Sequence, residues 1–114
     1  LKRGVRYLRS SPRLVQVFAQ QDRASVMQGW CDADHAGCIR TRKSTSGGCI
    51  MIGLHCVTHW CRGQAVIALS SGEAEYYALV KAGSQLLGIV AMMRATVMGT
   101  ELFNIRVYVC RRSG

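Results

Sequence analysis

The chain has 114 residues, 49% of them apolar, and a single proline, which argues against a disordered chain and leaves one ordinary domain able to bury roughly two-thirds of its unfolded surface. Fifteen Lys and Arg, twelve of them Arg, face six Asp and Glu for a net charge of +9. Such an excess points to a polyanionic partner, nucleic acid first, although any single Arg is equally explained as a solvating surface group. No apolar run approaches the roughly 20 residues of a membrane span, so a soluble globular domain with no membrane partner is expected.

Leu1, Val5 and Leu8 recur at helical spacing, with Lys2, Arg3, Arg6 and Arg9 on the other faces, and predict a short basic helix ended by Ser10-Ser11-Pro12. Leu1 is not methionine and nothing caps this helix, so a fragment of a longer polyprotein is expected. Alternation through residues 14–18, with β-branched Val15 and Val17, predicts a strand or extended entry segment, and residues 20–25 a polar connection. A strand over residues 27–32 leads into a turn-rich stretch, 34–45, that carries Arg40, Arg42 and Lys43. Strands over 48–54 and 56–61 follow, and their short connections imply antiparallel pairing.

Ser70-Ser71-Gly72-Glu73 fits the S-x-x-E capping box, in which serine and glutamate satisfy backbone amides at a helix start. An apolar stripe of Ala74, Ala78, Leu79, Leu86, Leu87, Val90 and Met93 carries the helix to about residue 97, with Gly83 a break between two helices and Gly99 the end. A last strand over 105–109 runs into Cys110-Arg111-Arg112-Ser113-Gly114.

Six cysteines without a C-x-x-C pair or a secretory signal read as reduced thiols. The nearest approach to a zinc ligand set is His55, Cys56, His59 and Cys61, which small buried thiols explain more simply.

Four of the six acids lie in two places, Asp32 with Asp34 and Glu73 with Glu75. In a basic chain, paired carboxylates suit a hard divalent cation held near a polyanion. One acid on the first core strand and one near the start of the helix can meet at one end of a sheet, which selects Asp32 and Glu75. Asp34 is an auxiliary candidate that the following turn re-aims, and capping accounts for Glu73.

Gly29 to Gly37, Arg42-Lys43-Ser44-Thr45-Ser46-Gly47-Gly48 and Ala68 to Tyr76 resemble, in order and spacing, the ribonuclease H domain of copia-type retrotransposon Pol polyproteins. Leu1 to Leu8 is similar to the segment that leads there from the reverse transcriptase. The resemblance implies residues 1–13 as the tail of that connection helix and 14–114 as a ribonuclease H-like domain. The implied fold is α/β, a mixed sheet of three antiparallel strands, helices, then a fourth, parallel strand, lacking the last strand and helix. It implies metal-dependent cleavage of the RNA strand of RNA–DNA hybrids, with Mg²⁺ or Mn²⁺ on Asp32 and Glu75 and an upstream reverse transcriptase in the same intracellular polyprotein.

Arg40, Arg42 and Lys43 would grip the hybrid backbone, with Ser44, Thr45 and Ser46 as phosphate donors or, equally, turn formers. The family's third carboxylate is missing after the last strand: either Cys110 stands in its place or, the favoured alternative, a deletion removed it. The fourth is missing as well, and His35 stands where the family has Trp. Impaired cleavage is therefore expected, the alternative being a non-catalytic nucleic-acid-binding remnant or pseudogene fragment.

Overall fold

A computed structural model describes residues 2–96 and 104–110. The chain forms α1 (Lys2–Ser10), β1 (Val26–Asp34), β2 (Thr45–Ile52), β3 (His55–Gly63), α2 (Ser71–Ala95) and β4 (Asn104–Val109). The four strands make one mixed sheet in the order β3-β2-β1-β4, with β1 antiparallel to β2, β2 antiparallel to β3, and β4 parallel to β1. This is the mixed α/β arrangement expected. The residues named for the helix end, 97 and 99, and the terminal 111–114 lie outside the described residues.

Alternation along β1 decides which way the sheet faces. Met27, Gly29 and Cys31 are buried toward α2, whereas Trp30, Asp32 and Asp34 alternate onto the opposite face. The core is therefore one-sided. Met27 and Ile50 pack with Leu86 and Val90 at one end, and Cys31 packs with Ala78 and Ala82 at the other. The buried stripe of α2 is Ala74, Ala78, Ala82, Leu86 and Val90, so its small residues bring the N-terminal half of the helix close to the sheet at the Asp32 end. Gly48 helps on the sheet side, because a Cβ there would collide with the Trp60 ring and stand 2.7 Å from the Trp30 carbonyl oxygen. On the uncovered face Trp30 and Tyr108 stack, centroids 4.5 Å apart and planes 18° from parallel.

Two expectations are corrected, and one alternative is decided. Gly83 does not divide the helix: α2 runs unbroken for 25 residues, because the buried stripe continues through Ala82 and Leu86 and outweighs a glycine cost of about 1 kcal/mol. Of the two readings of residues 14–18, the strand does not form and the entry segment remains; Leu14, Val15, Val17 and Phe18 stay exposed, and the segment meets the β2–β3 hairpin through side chains. Gln16 Nε2 donates to the Cys56 carbonyl at 3.1 Å. Gln21 grips the hairpin turn, donating to Ile52 O at 3.0 Å and accepting from the Leu54 N–H at 2.8 Å. Finally, α2 is, among the described residues, a helix long and apolar enough, by length and composition alone, to cross a membrane, where no such run was expected. Here its buried stripe packs on the sheet.

α1 buries none of its residues and packs against no other described element.

Candidate functional site

At the C-terminal end of β1 a cleft of about 470 Å³ is lined by Asp32, Ala33, Asp34, His35, Ser71, Gly72, Glu75 and Cys110. Each wall follows from local sequence. Asp32 reaches it from the exposed face of β1. Glu75 reaches it from the start of α2, which is fixed by Ser70: the Ser70 hydroxyl accepts from the Glu73 N–H at 3.1 Å. Glu73 accepts in return from the Leu69 N–H at 2.9 Å and from the Tyr77 hydroxyl at 3.0 Å, so the capping role expected for it is the one it has. The return bond goes to Leu69 rather than to the cap residue's own amide.

The two acids named from the sequence are thus brought to one cleft. Their joint field is felt by Cys31, whose thiol is pushed up by burial first and then by the negative charges of Asp32 and Glu75. The same thiol donates to the Tyr108 carbonyl at 3.5 Å, tying the acid-bearing strand to β4.

Asp34 also lines the cleft, but its carboxylate folds over the following turn so closely that a Cβ on Gly37 would collide with it. Cys110 forms a further wall. Its N–H donates to the Cys31 carbonyl at 2.8 Å, which extends the parallel ladder by one step and sets Cys110 beside Asp32. That placement follows from the register of β4 against β1, which no local pattern in the sequence reports.

Among the described residues no group of three or more His, Cys, Asp or Glu is gathered that would hold a metal ion. That disposes of the His55, Cys56, His59 and Cys61 set as well. Both nitrogens of His55 are engaged, Nδ1 with Gln21 Nε2 at 3.2 Å and Nε2 with the Ala19 carbonyl at 2.6 Å. Because Gln21 donates to Nδ1, the ring proton sits on Nε2. All six cysteines are free thiols.

The basic loop after β1 carries Arg40, Arg42 and Lys43. It closes on itself through the Arg42 N–H to the Cys38 carbonyl, 2.7 Å, and the Cys38 N–H to the Lys43 carbonyl, 3.3 Å. Arg42 takes the left-handed conformation, φ 58°. Of the two readings of Ser44 and Ser46, phosphate donors or turn formers, their burial, 1% and 6% exposed, leaves the structural one. The Ser44 hydroxyl accepts from the Ala36 N–H at 3.0 Å, and the Ser46 hydroxyl accepts from Gln64 Nε2 at 2.8 Å.

No family model matches the chain, and no solved structure matches it significantly. Curated relatives do. Secreted RxLR effector protein 161 of Plasmopara viticola is 36% identical over 96 residues, covering 84% of this chain and 67% of that protein. The retrovirus-related Pol polyprotein from transposon RE2 of Arabidopsis thaliana is 30% identical over all 114 residues, which are 8% of its length. The corresponding polyprotein from transposon TNT 1-94 of Nicotiana tabacum is 32% identical over 83 residues, 73% of this chain and 6% of the polyprotein. The chain spans under a tenth of the length of the Pol polyproteins it matches. It belongs to the sequence family of the Plasmopara viticola protein, and a short region of retrotransposon Pol polyproteins is similar to it.

Proposed function

We propose that this chain is a ribonuclease H-like domain of a retrotransposon Pol polyprotein, descended from an enzyme that cleaves the RNA strand of RNA–DNA hybrids, with that cleavage impaired. The observation that carries the reading is the convergence of Asp32 and Glu75, 43 residues apart in sequence and on different elements, in one cleft. The order β3-β2-β1-β4, with β4 parallel to the Asp32 strand, supports it, as does the similarity to Pol polyproteins.

Asp32 and Glu75 are the catalytic pair and hold a divalent cation, Mg²⁺ or Mn²⁺. Two carboxylates fit one hydrated Mg²⁺, which is commonly bound through one or two carboxylates with substrate phosphate completing the sphere. They do not fit a close pair of ions, whose mutual repulsion needs more acids, and Cys110 offers a thiol where another would help. When bound, the ion supplies charge neutralisation at the scissile phosphate. Asp34, bent over its turn, acts as an auxiliary. Arg40, Arg42 and Lys43 hold the hybrid backbone, positioning it without reading sequence. Ser44 and Ser46 are left out of the interface because their hydroxyls are buried.

Cys110 favours a second reading, a domain that binds hybrid and cuts nothing. The test of the site is paramagnetic broadening by Mn²⁺. Resonances of Asp32, Glu75 and Cys110 should broaden first and Asp32→Asn should abolish the effect. Broadening centred elsewhere, or unchanged in that variant, would overturn the assignment.

A further inference from the structure

Nothing in the packing of the described residues accounts for α1 being a helix, since it buries none of its residues and touches no other element. Val5, Tyr7 and Leu8 are each 59% exposed. Nor does its own sequence account for it. Nine residues fall short of the roughly 12–15 that hold an isolated helix in water. Gly4 lies inside it, where a Cβ would meet nothing, so the glycine weakens the helix without serving a close approach. The first turn carries no acid but has two cations, Lys2 and Arg3, at the end of the helix dipole that favours negative charge. Lys2 with Arg6, Arg3 with Arg6 and Arg6 with Arg9 set like charges three or four residues apart, which opposes the helix again.

Both charge penalties reverse beside a polyanion. At about 100° per residue, Arg9, Lys2, Arg6 and Arg3 fall in that order within an arc of roughly 120°, a single cationic face. No acid precedes Asp22, so this stretch of chain brings no carboxylate of its own to the face. Tyr7 stands one turn beyond Arg3, at the border of the arc. The other side holds, among the described residues, two aliphatic side chains, Val5 and Leu8, and no Trp or Phe. That is a poor anchor for a lipid surface, where binding scales with buried apolar area. A phosphate backbone needs no such anchor. Arg meets phosphate with a fork of donors, each neutralised phosphate releases counterions, and a segment poor in apolar residues can fold against such a partner.

We propose that α1 is a nucleic-acid-binding arm: Lys2, Arg3, Arg6 and Arg9 grip the phosphate backbone of a duplex, and that contact completes the helix. The arm is separate from the Asp32–Glu75 cleft, and its test reads binding alone, so an inert cleft would leave it standing. The test is fluorescence anisotropy of the 114-residue chain with labelled RNA–DNA hybrids of two unrelated sequences at several salt concentrations.

Changing Lys2, Arg3, Arg6 and Arg9 together to Gln should weaken binding more than tenfold, equally for both sequences. It should also lower the slope of log K against log salt by roughly one for each phosphate released. Two variants keep every charge. Leu8→Pro breaks the helix on its far side and should weaken binding several-fold, whereas Gly4→Ala favours the helix and should tighten binding up to about fivefold. Because α1 packs on no other described element, all three variants should keep the melting midpoint of the natural chain. Unchanged affinity and slope in the Gln variant would overturn the proposal. Affinity untouched by both helix variants would overturn it too, leaving a charged tail with no helical face. So would loss of binding to phosphatidylserine vesicles in the Gln variant with hybrid binding retained, which would assign the face to a lipid surface.

Discussion

Asp32 on β1 and Glu75 on α2 face one cleft, and both charges bear on the Cys31 thiol buried between strand and helix. The pairing depends on how closely the start of α2 approaches the sheet, which the buried alanines at 74, 78 and 82 permit. The site is thus a consequence of core packing as much as of its own residues.

Cys38 and Cys31 should differ sharply toward an alkylating agent. Cys38 is exposed, and its thiol is held below the usual range by the Thr41 side chain, then by the backbone of Thr41 and Arg40. Cys31 is buried and pushed up. Iodoacetamide labelling followed by peptide mass spectrometry should find Cys38 modified first and Cys31 last. For stability the sign is set by Cys31: its folded pKa lies above the unfolded one, so its contribution is complete below the unfolded value and is lost as pH rises toward the folded one. Alkaline denaturation should begin at a higher pH in Cys31→Ala, compared with each protein's own stability near neutrality.

Replacing Gly83 with Ala should stabilise the chain. The residue lies inside α2, and a Cβ there meets nothing within 4 Å. Removing a mid-helix glycine contributes about 0.5–1 kcal/mol. Thermal melts should show a midpoint raised by a few degrees; a lowered midpoint would show that α2 bends at this position.

Ser44→Ala should destabilise by about 1 kcal/mol, because it leaves the partly buried Ala36 N–H without its acceptor. Urea unfolding measures this. If the hydroxyl instead served the hybrid, stability would hold and binding would fall.

Changing Arg40, Arg42 and Lys43 together to Gln should weaken hybrid binding uniformly across sequences. It should also reduce the slope of log K against log salt by roughly one for each phosphate no longer neutralised. Fluorescence anisotropy at several salt concentrations reads both, and an unchanged slope would remove the loop from the interface.

Much of this fold was legible in the sequence because its signals are local. The period-two pattern of β1, the turn residues after it and the Ser70–Glu73 cap each announce an element within a few residues. The acids could be paired because each stood at the end of such an element. What escaped depends on distance or context. The unbroken helix through Gly83 is held by packing on Ile50 and Met27, which no local propensity reports. Residues 14–18 have a strand's composition but no ladder to join. Ser44 and Ser46 sit in a polar run whose inward turn is visible only with Gln64 and Ala36 in place. The Trp30–Tyr108 stack needs the parallel register of β4 on β1, whereas Cys110, offered by the resemblance as the stand-in for the missing acid, does line the cleft.

An impaired ribonuclease H-like site is best probed by cleavage of a labelled RNA–DNA hybrid in Mg²⁺ or Mn²⁺, using the 114-residue chain, Cys110→Asp, and Cys110→Asp with Asp32→Asn. Cleavage by the natural chain should be weak or undetectable, it should rise clearly when a carboxylate replaces the thiol, and that gain should vanish without Asp32. Cleavage that persists without Asp32, or no gain from soluble, folded Cys110→Asp protein, would show that this cleft is not a nuclease site short of an acid.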